Sequence, residues 1–322
     1  GATERRTVRS ASSSSASLRA IPSVLELLPG DAVALTPYRV VRRMAAGGMG
    51  ELYEVVHPEL GRRAAMKVLH RRHVLRADLA LRMRDEARML ASLTHPNLPT
   101  VYDAGTLDDG RPFLVMELLE GNDLRRELAR FGMLAVPSAV GLVAQALSAL
   151  SAVHQASIVH RDVKLENLFL CTDGRLKLLD FGIARTEELA RLGRTGRGVA
   201  LGTPRAMAPE QYEASEVDAR TDLYAVGVAL FELVTGRGLF DEVARTVDAL
   251  RLAHCERQPP RPSSVARQPV SEAFDRVVLR ALHKEPSRRY ATADELRRAL
   301  LEAVREPTSF DDEPTDFDGR AT

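Results

Sequence analysis

The residues with the clearest chemical purpose form one octapeptide, His160-Arg161-Asp162-Val163-Lys164-Leu165-Glu166-Asn167. Asp162 can accept or orient the proton of a hydroxyl nucleophile, and Lys164 places a cation beside a group in transfer. Asn167, five residues past the carboxylate, supplies an amide oxygen of the kind that binds a divalent metal. These residue types at this spacing predict the transfer of a phosphoryl group to a hydroxyl.

A second predicted metal ligand follows this octapeptide. Asp180-Phe181-Gly182 begins thirteen residues after Asn167, directly behind the apolar run Leu176–Leu179. An isolated Asp-Phe-Gly is most often a simple turn. Behind the octapeptide it predicts that Asp180 binds a Mg²⁺ ion that bridges phosphates.

Upstream, a glycine-rich turn and a lysine have the spacing of a phosphate site. In Ala46-Gly47-Gly48-Met49-Gly50, backbone N–H groups can approach phosphate oxygens without an intervening Cβ. Glycine turns between strands are usually plain hairpins, so this turn alone decides nothing. Lys67 follows on a predicted strand, and Glu86 on the next predicted helix can hold its ammonium group.

The elements that position these residues follow from hydrophobic periodicity. The predicted strands are Tyr38–Met44, Glu51–Val56, Ala64–Leu69, Val101–Leu107 and Phe113–Leu118, and the predicted helices are Leu79–Leu93, Ser138–His154 and Asp222–Thr235. A β-rich lobe followed by a larger helical lobe predicts an α+β fold with two lobes. The ligand site is expected in the cleft between them.

With these motifs in this order, the chain resembles the eukaryotic-type protein kinase family, in its bacterial Ser/Thr branch. The resemblance covers residues 38–304 and includes His95-Pro96-Asn97 and the run from Gly202 to Gln211. It implies the two-lobed protein kinase fold, with a β-rich N-lobe that carries one long helix and a mainly helical C-lobe. It also implies ATP as cosubstrate, Mg²⁺ or alternatively Mn²⁺ as metal, and protein Ser/Thr hydroxyls as acceptors.

The resemblance divides the chain into three parts. The kinase domain is expected at 37–304, with the N-lobe at 37–116 and the C-lobe at 120–304. The Ser/Arg-rich segment 1–36 and the acidic tail 305–322 are expected to be disordered, because such compositions cannot bury enough apolar surface.

The resemblance also implies the nucleotide contacts. Met116 is the gatekeeper, Glu117 and Leu119 offer backbone hydrogen bonds to adenine, and Asp123 reaches the ribose. The residues expected to line the nucleotide site are Ala45, Gly47, Gly48, Gly50, Leu52, Ala65, Lys67, Met116, Glu117, Leu119, Asp123 and Phe169. Of these, Leu52, Ala65 and Phe169 are expected to enclose the adenine ring.

Further residues gain structural roles by the same resemblance. Asp222 is expected to hold the backbone of the catalytic loop, and Glu210 to pair with Arg289. Leu90, His160 and Phe181 are expected to stack between the lobes.

Regulation by phosphorylation is a further implication. Arg161 precedes the catalytic carboxylate, and a guanidinium there needs an anion to order it. The candidate phosphosites are Thr195, flanked by Arg194 and Arg197, and Thr203. Lys164 and Thr203 together resemble the Ser/Thr branch more than the Tyr branch.

Three positions depart from the family pattern. Ala45 stands where the first loop glycine is usual, Leu165 where the catalytic loop has proline, and Ala206 where a tyrosine is usual. None removes a catalytic group, so the departures bear on substrate choice.

Composition excludes some classes of partner and leaves others open. The net charge is +1, so no nucleic-acid partner is implied. No apolar run approaches the ~18 residues of a membrane span, which predicts no span within this chain and a cytoplasmic location, with an anchor outside it left open. Thr308 and Thr315 each precede an Asp by three residues, a pattern read by FHA modules, although a plain acidic tail explains it too. A kinase-domain homodimer also stays open.

Two rival functions share the fold. A pseudokinase scaffold would lack catalytic groups, whereas all five are present at Lys67, Glu86, Asp162, Asn167 and Asp180. A small-molecule phosphotransferase would not need the long segment that ends at Ala208-Pro209-Glu210, which resembles a platform for polypeptides.

Overall fold

A five-stranded antiparallel sheet forms the first lobe. The computed structural model describes residues 27–33, 36–47, 50–70, 91–180, 205–213, 215–243 and 246–305. The order of the strands in this sheet is β1-β2-β3-β5-β4. The strands are β1 (Arg39–Ala46), β2 (Gly50–His57), β3 (Arg62–Leu69), β4 (Val101–Thr106) and β5 (Pro112–Glu117). All five predicted strands are therefore present, displaced by no more than two residues at either end.

The two faces of this sheet have different partners. Tyr53 and Val55 of β2 are buried in the core of the lobe, whereas Leu52 is the direct cross-strand partner of Lys67. Facing partners share one side of a sheet, and side chains alternate along each strand, so Ala65 lies on the same face as Lys67. This alternation separates a core face from a face that carries predicted nucleotide-binding side chains.

Residues 27–33 extend the core of the lobe beyond the predicted boundary at residue 37. Val33 is buried in that core, Ala32 forms a β-bridge with Arg39, and the Val40 amide donates to the Asp31 carbonyl at 2.9 Å. The predicted disordered segment 1–36 is thus too long, because an apolar side chain from within it completes the core. Residues 1–26 lie outside the described residues.

A small sheet follows the connection between the lobes. Its strands β6 (Gly121–Asp123), β7 (Leu168–Cys171) and β8 (Leu176–Leu178) are antiparallel in the order β6-β7-β8. Gly121 has a φ of +148°, and a Cβ there would collide with the Leu170 carbonyl oxygen. A glycine is needed at this point because the backbones of β6 and β7 approach so closely.

The second lobe is mainly helical in the part that the structure describes. Its helices are α1 (Leu124–Phe131), α2 (Val136–Gln155), α3 (Pro209–Tyr212), α4 (Ala219–Thr235), α5 (Val247–Glu256), α6 (Pro262–Val265), α7 (Glu272–Ala281) and α8 (Ala293–Ala303). Two 3₁₀ turns, Leu165–Asn167 and Pro286–Arg288, complete it. These helices pack around one core that is separate from the core of the first lobe.

Helix α4 lies at the centre of the second core. The Asp218 side chain caps its first turn by accepting from the Arg220 amide, and Gly236 ends it in the left-handed region at φ +70°. Every residue from Thr221 to Thr235 is buried. The nearly continuous apolar run predicted such a buried helix, and the structure confirms it.

Helix α2 is long and apolar enough to cross a membrane, judged by length and composition alone. It begins near Pro137, as predicted, and nine of its residues are buried. These side chains contribute to the core that also holds α4 and α8, so the position of the helix in the fold accounts for its apolar character.

Several predicted features lie outside the described residues. They include most of the predicted helix Leu79–Leu93, the stacking residues Leu90 and Phe181, and the tail threonines Thr308 and Thr315.

Candidate active site

Asp222 at the start of α4 holds the backbone of the catalytic loop. Its carboxylate oxygens accept from the amides of His160 and Arg161, each at 2.8 Å, and it is 1% exposed. Arg161 has a φ of +67°, a conformation that costs a non-glycine residue energy unless its surroundings impose it. The predicted role of Asp222 is thus visible as two hydrogen bonds to a buried carboxylate, which support this turn.

His160 is fully buried beneath the loop. Its Nε2 donates to the Leu179 carbonyl oxygen at 2.9 Å. Burial lowers the pKa of His160, and this outweighs the opposing effect of the nearby Asp222 and Asp162 carboxylates. A neutral imidazole therefore ties the catalytic loop to the strand end that precedes Asp180.

Asp162, Lys164 and Asn167 converge on one point. The Lys164 ammonium lies 2.8 Å from Asp162 Oδ2, and Asn167 Nδ2 donates to Asp162 Oδ2 at 3.0 Å and to its carbonyl oxygen at 2.7 Å. The 3₁₀ turn Leu165–Asn167 brings the amide back towards the carboxylate. The octapeptide spacing thus places a carboxylate, a cation and an amide in direct contact.

Asp180 and Lys67 meet although 113 residues separate them in sequence. Lys67 Nζ donates to Asp180 Oδ1 at 2.6 Å. Asp180 has a φ of +49°, and Asn167 Nδ2 lies 3.5 Å from its carbonyl oxygen. The strand lysine and the predicted metal-binding carboxylate therefore lie at one site with the catalytic loop. Glu86, the predicted partner of Lys67, lies outside the described residues.

Two glycines of the glycine-rich turn, Gly47 and Gly50, lie within the described residues and are hydrogen-bonded to each other. The Gly47 amide donates to the Gly50 carbonyl at 2.8 Å, and a Cβ on Gly50 would collide with the Val68 carbonyl of β3. Ala45, the first departure from the family pattern, pairs with Leu52 across β1 and β2 and is exposed. Gly48 lies outside the described residues.

The predicted adenine-enclosing residues come from both lobes. Leu52 and Ala65 lie on the Lys67 face of the first sheet, and Met116 is the direct partner of Ala65 on β5. Phe169, on β7 of the small sheet, pairs with Asp123. The predicted adenine-enclosing residues thus lie on the two sides of the connection between the lobes, some on the first sheet and one on β7.

Glu117 ends β5 and Leu119 lies in the connection itself, and both are partly buried. Sequence reasoning missed the partner of the Glu117 side chain. Lys177, 4% exposed, donates to Glu117 Oε2 at 2.8 Å and to the Leu98 carbonyl at 3.0 Å. A buried lysine within the β8 run was the available signal, since a charge there needs a partner.

Asp123 lies at the start of α1, as the N-cap. Its Oδ1 accepts from the Arg126 amide at 2.9 Å. Its side chain therefore stabilises the first turn of α1, and the predicted ribose contact stays a prediction.

A buried ion pair joins α3 to the segment before α8. Arg289 donates from Nη1 and Nη2 to the two Glu210 carboxylate oxygens at 2.7 and 2.8 Å, and Thr221 also donates to Glu210 at 2.7 Å. Burial acts to raise the pKa of Glu210, but the Arg289 guanidinium outweighs it and holds that pKa below its usual range. The predicted pairing of Glu210 with Arg289 is confirmed as a bidentate contact.

The other two departures are packed positions. Leu165 is 1% exposed and belongs to the core of the second lobe, and Ala206 packs against that core. Leu165 thus provides buried apolar area where the family uses proline. The candidate phosphosites Thr195 and Thr203 lie outside the described residues.

Divalent metal chemistry fits the donor atoms of this site. Among the described residues, no group of three or more His, Cys, Asp or Glu side chains could hold a metal. Mg²⁺ usually needs only one or two protein carboxylates when substrate phosphates supply other ligands. Asp180 offers such a carboxylate, and because Asn167 donates through Nδ2, its amide oxygen is the atom suited to a cation.

A sheet lobe and a helical lobe with this cluster between them define a phosphotransferase of the protein kinase class. Residues 38–300 match the protein kinase domain family, and the chain belongs to that family.

Its relatives place the domain in the bacterial Ser/Thr branch. The chain is 41% identical over 273 residues to Ser/Thr-protein kinase Pkn1 of Myxococcus xanthus, covering 84% of this chain and 38% of Pkn1. It is 38% identical over 271 residues to PknH of Mycobacterium bovis, covering 84% of this chain and 44% of PknH. The chain therefore carries a Ser/Thr protein kinase domain and spans about two fifths of the length of these relatives.

Solved structures show the same fold. The PknI kinase domain of Mycobacterium tuberculosis is 29% identical, with a TM-score of 0.70, and the match covers 87% of this chain and all of that structure.

Proposed function

We propose that this chain transfers the γ-phosphoryl group of ATP to Ser or Thr hydroxyls of protein substrates. The observation that carries the proposal is the contact of Asp162, Lys164 and Asn167 beside the Lys67–Asp180 pair. Phosphoryl transfer depends mostly on positioning and charge, and this cluster provides both within hydrogen-bonding distance.

The chain's own residues divide the work. Asp162 orients the acceptor hydroxyl and accepts its proton, while Lys164 stabilises charge on the transferring group. Lys67 and the glycine-rich turn hold the phosphates, and the apolar face with Leu52 and Ala65 holds the adenine.

Asn167 and Asp180 would hold the metal, which neutralises phosphate charge when bound. The family uses a divalent ion. We propose Mg²⁺ as that ion, because a carboxylate and an amide oxygen are hard ligands that suit it, and Mn²⁺ is the alternative.

The rival functions are less well supported. A pseudokinase would be expected to lose its carboxylates or lysine, whereas Lys67, Asp162 and Asp180 are present and in contact with partners. A small-molecule phosphotransferase is disfavoured by the Glu210–Arg289 pair, because it anchors the end of the segment expected to form a polypeptide platform.

We also propose control by phosphorylation at Thr195, with Thr203 as the other candidate. The support is Arg161, which sits next to the catalytic carboxylate in a positive-φ conformation, and whose carbonyl accepts from Gln211 Nε2 at 3.0 Å. A phosphate group on the segment before Gln211 would interact with the Arg161 guanidinium and favour this conformation of Arg161.

The cellular compartment and further binding partners are also part of the proposal. We propose that the domain works in the cytoplasm, the compartment in which ATP is available to it. FHA-type readers of Thr308 or Thr315 and a kinase-domain homodimer rest on the sequence alone.

The test is an assay of γ-labelled ATP with a generic protein acceptor. We expect Asp162→Asn to lower kcat by at least ~10²-fold, the scale for losing a positioned acid–base group. Asp173→Asn, the same chemical change in the β7–β8 turn, should leave the rate unchanged and serves as control. Near wild-type turnover by Asp162→Asn would refute the assignment, and mapping of phosphosites in the wild type would show whether Thr195 is modified.

A further inference from the structure

A cavity of about 340 Å³ opens beneath the catalytic loop, next to Asp162. Its walls are the loop itself, the stretch 205–207 and one side of α4. On the proposed function, a polypeptide that places its hydroxyl at Asp162 must have its flanking side chains near this cavity. The chemistry of the cavity floor therefore bears on which substrates are accepted.

One stripe of α4 forms that floor. Asp222, Ala225, Ala229 and Glu232 line the cavity, and their spacing of three, four and three residues places them on one side of the helix. The two middle residues of the stripe have small side chains, and the residues at its two ends are acidic. Asp222 is already bonded to the catalytic loop, so Glu232, about 15 Å further along the helix, is the carboxylate left on the floor.

Glu232 is 3% exposed in an otherwise apolar part of α4. Burial raises its pKa, and Arg125 only partly offsets this. A buried carboxylate in such a place is costly unless a cation accompanies it.

Arg125 of α1 is the cation that the fold supplies. Its Nη2 donates to Glu232 Oε2 at 2.6 Å, and its Nε donates to Glu166 Oε1 of the catalytic loop at 3.1 Å. Of the other two cavity-lining arginines, Arg161 belongs to the catalytic loop and Arg205 is directed to Asp241 at 2.5 Å. One guanidinium therefore stands between two carboxylates, in the position that a basic side chain of a substrate could take.

We infer that Arg125 determines specificity by occupying an acidic subsite of the substrate cavity with the protein's own guanidinium. The wild-type protein then gains nothing from Arg or Lys near the acceptor residue. Removal of Arg125 exposes the Glu166 and Glu232 carboxylates to the substrate, and the protein becomes selective for basic peptides. The inference rests on the proposed function, because the cavity is a substrate site only if the chain phosphorylates polypeptides. Its test measures peptide binding and does not require turnover.

The test is peptide binding by fluorescence anisotropy, with a serine peptide series in which Arg replaces Ala at each flanking position in turn. For wild type we expect no position at which Arg improves Kd by tenfold. For Arg125→Ala we expect at least one such position, since a charge-assisted hydrogen bond contributes roughly 1.5–3 kcal/mol and tenfold in Kd is about 1.4 kcal/mol. Arg125→Gln, which keeps an amide donor for Glu232, should show the same gain and covers the case in which the alanine variant folds poorly.

Two controls separate the subsite from a general loss of charge. Arg130→Ala removes the same charge from the same helix, at a side chain that stacks on Phe131, and should leave the preference unchanged. Arg125→Ala combined with Glu232→Gln should lose most of the gained preference.

Strong Arg selectivity of the wild type would overturn the inference, as would folded Arg125 variants that do not discriminate. An inactive enzyme would instead appear as absent turnover with the binding change intact, which would count against the proposed function only.

Discussion

Asp162 shares one carboxylate oxygen between the Lys164 ammonium and the Asn167 amide. Donors fixed in this way keep the carboxylate oriented without solvent reorganisation, which is how charged sites act in phosphoryl transfer. The turn that aligns them is itself held by the buried Leu165 side chain. The core packing of Leu165, three positions along the chain, thus contributes to the stability of the loop that carries this carboxylate.

Substitution of Leu165 by proline, the residue usual in the family, tests that contribution to stability. Lys164 is extended at φ −163° and ψ 166°, and residue 165 opens a 3₁₀ turn, so proline fits the backbone. We expect Leu165→Pro to retain activity but to lower the free energy of unfolding by about 1–2 kcal/mol through lost apolar burial. Urea denaturation and the labelled-ATP assay measure both, and a collapse of kcat at unchanged stability would contradict the explanation.

At the scale of residues, the sequence was most informative where chemistry dictates spacing. Asp162, Lys164 and Asn167 are neighbours along the chain, so their contact could be predicted. Arg125 and Glu232 are 107 residues apart, and only the fold brings them together. A charged residue inside the apolar run of α4 was the single available hint.

Helix α4 acts as the base on which other elements are placed. Its first turn holds the catalytic loop through Asp222, and Thr221 contributes to the Glu210–Arg289 pair. Strands and helices with clear periodicity, including α4 itself, were predictable. The N-terminal stretch at 27–33 was not, because one buried valine and a few backbone hydrogen bonds leave no periodic pattern.

Removal of Arg289 tests what the ion pair contributes. Glu210 is 5% exposed, so Arg289→Met leaves a buried carboxylate without its cation, and we expect a loss of about 3–5 kcal/mol in unfolding free energy. The matched double variant, Glu210→Met with Arg289→Met, should recover much of that loss because no charge stays buried. Urea denaturation of the three proteins is the measurement, and equal stability of single and double variants would argue against a desolvation penalty.

Across the whole molecule, acid stability is expected to depend on a histidine buried between α4 and α5. His254 is fully buried, and its Nδ1 is hydrogen-bonded to the Tyr224 hydroxyl at 2.9 Å. Burial, assisted by Lys284, lowers the pKa of His254 to about 3. In the unfolded chain this histidine binds a proton at about pH 6.5, whereas in the folded protein it does not. The contribution of His254 to the free energy of unfolding is therefore complete above pH 6.5 and is lost as the pH falls towards 3.

The contribution of His254 can be isolated by comparing how the free energy of unfolding changes with pH in the wild type and in a variant, instead of comparing their absolute stabilities. Between pH 7.5 and 5.5 the wild type should lose about 1.4 kcal/mol from this group, one pKa unit being worth 1.36 kcal/mol. His254→Phe is expected to lose that much less over the same interval, whatever its absolute stability. Parallel losses in both proteins would show that His254 titrates normally.

The Glu210–Arg289 pair also has a consequence for synthesis on the ribosome. The strands of the first lobe pair within the first 117 residues, so that lobe can form early, because domains generally fold as units from the N-terminus. The pair spans 79 residues and closes only after residue 289 has been made. A nascent chain can thus carry a finished sheet while its catalytic lobe still lacks an anchor, so phosphotransfer is expected to begin only after residue 289 has been made.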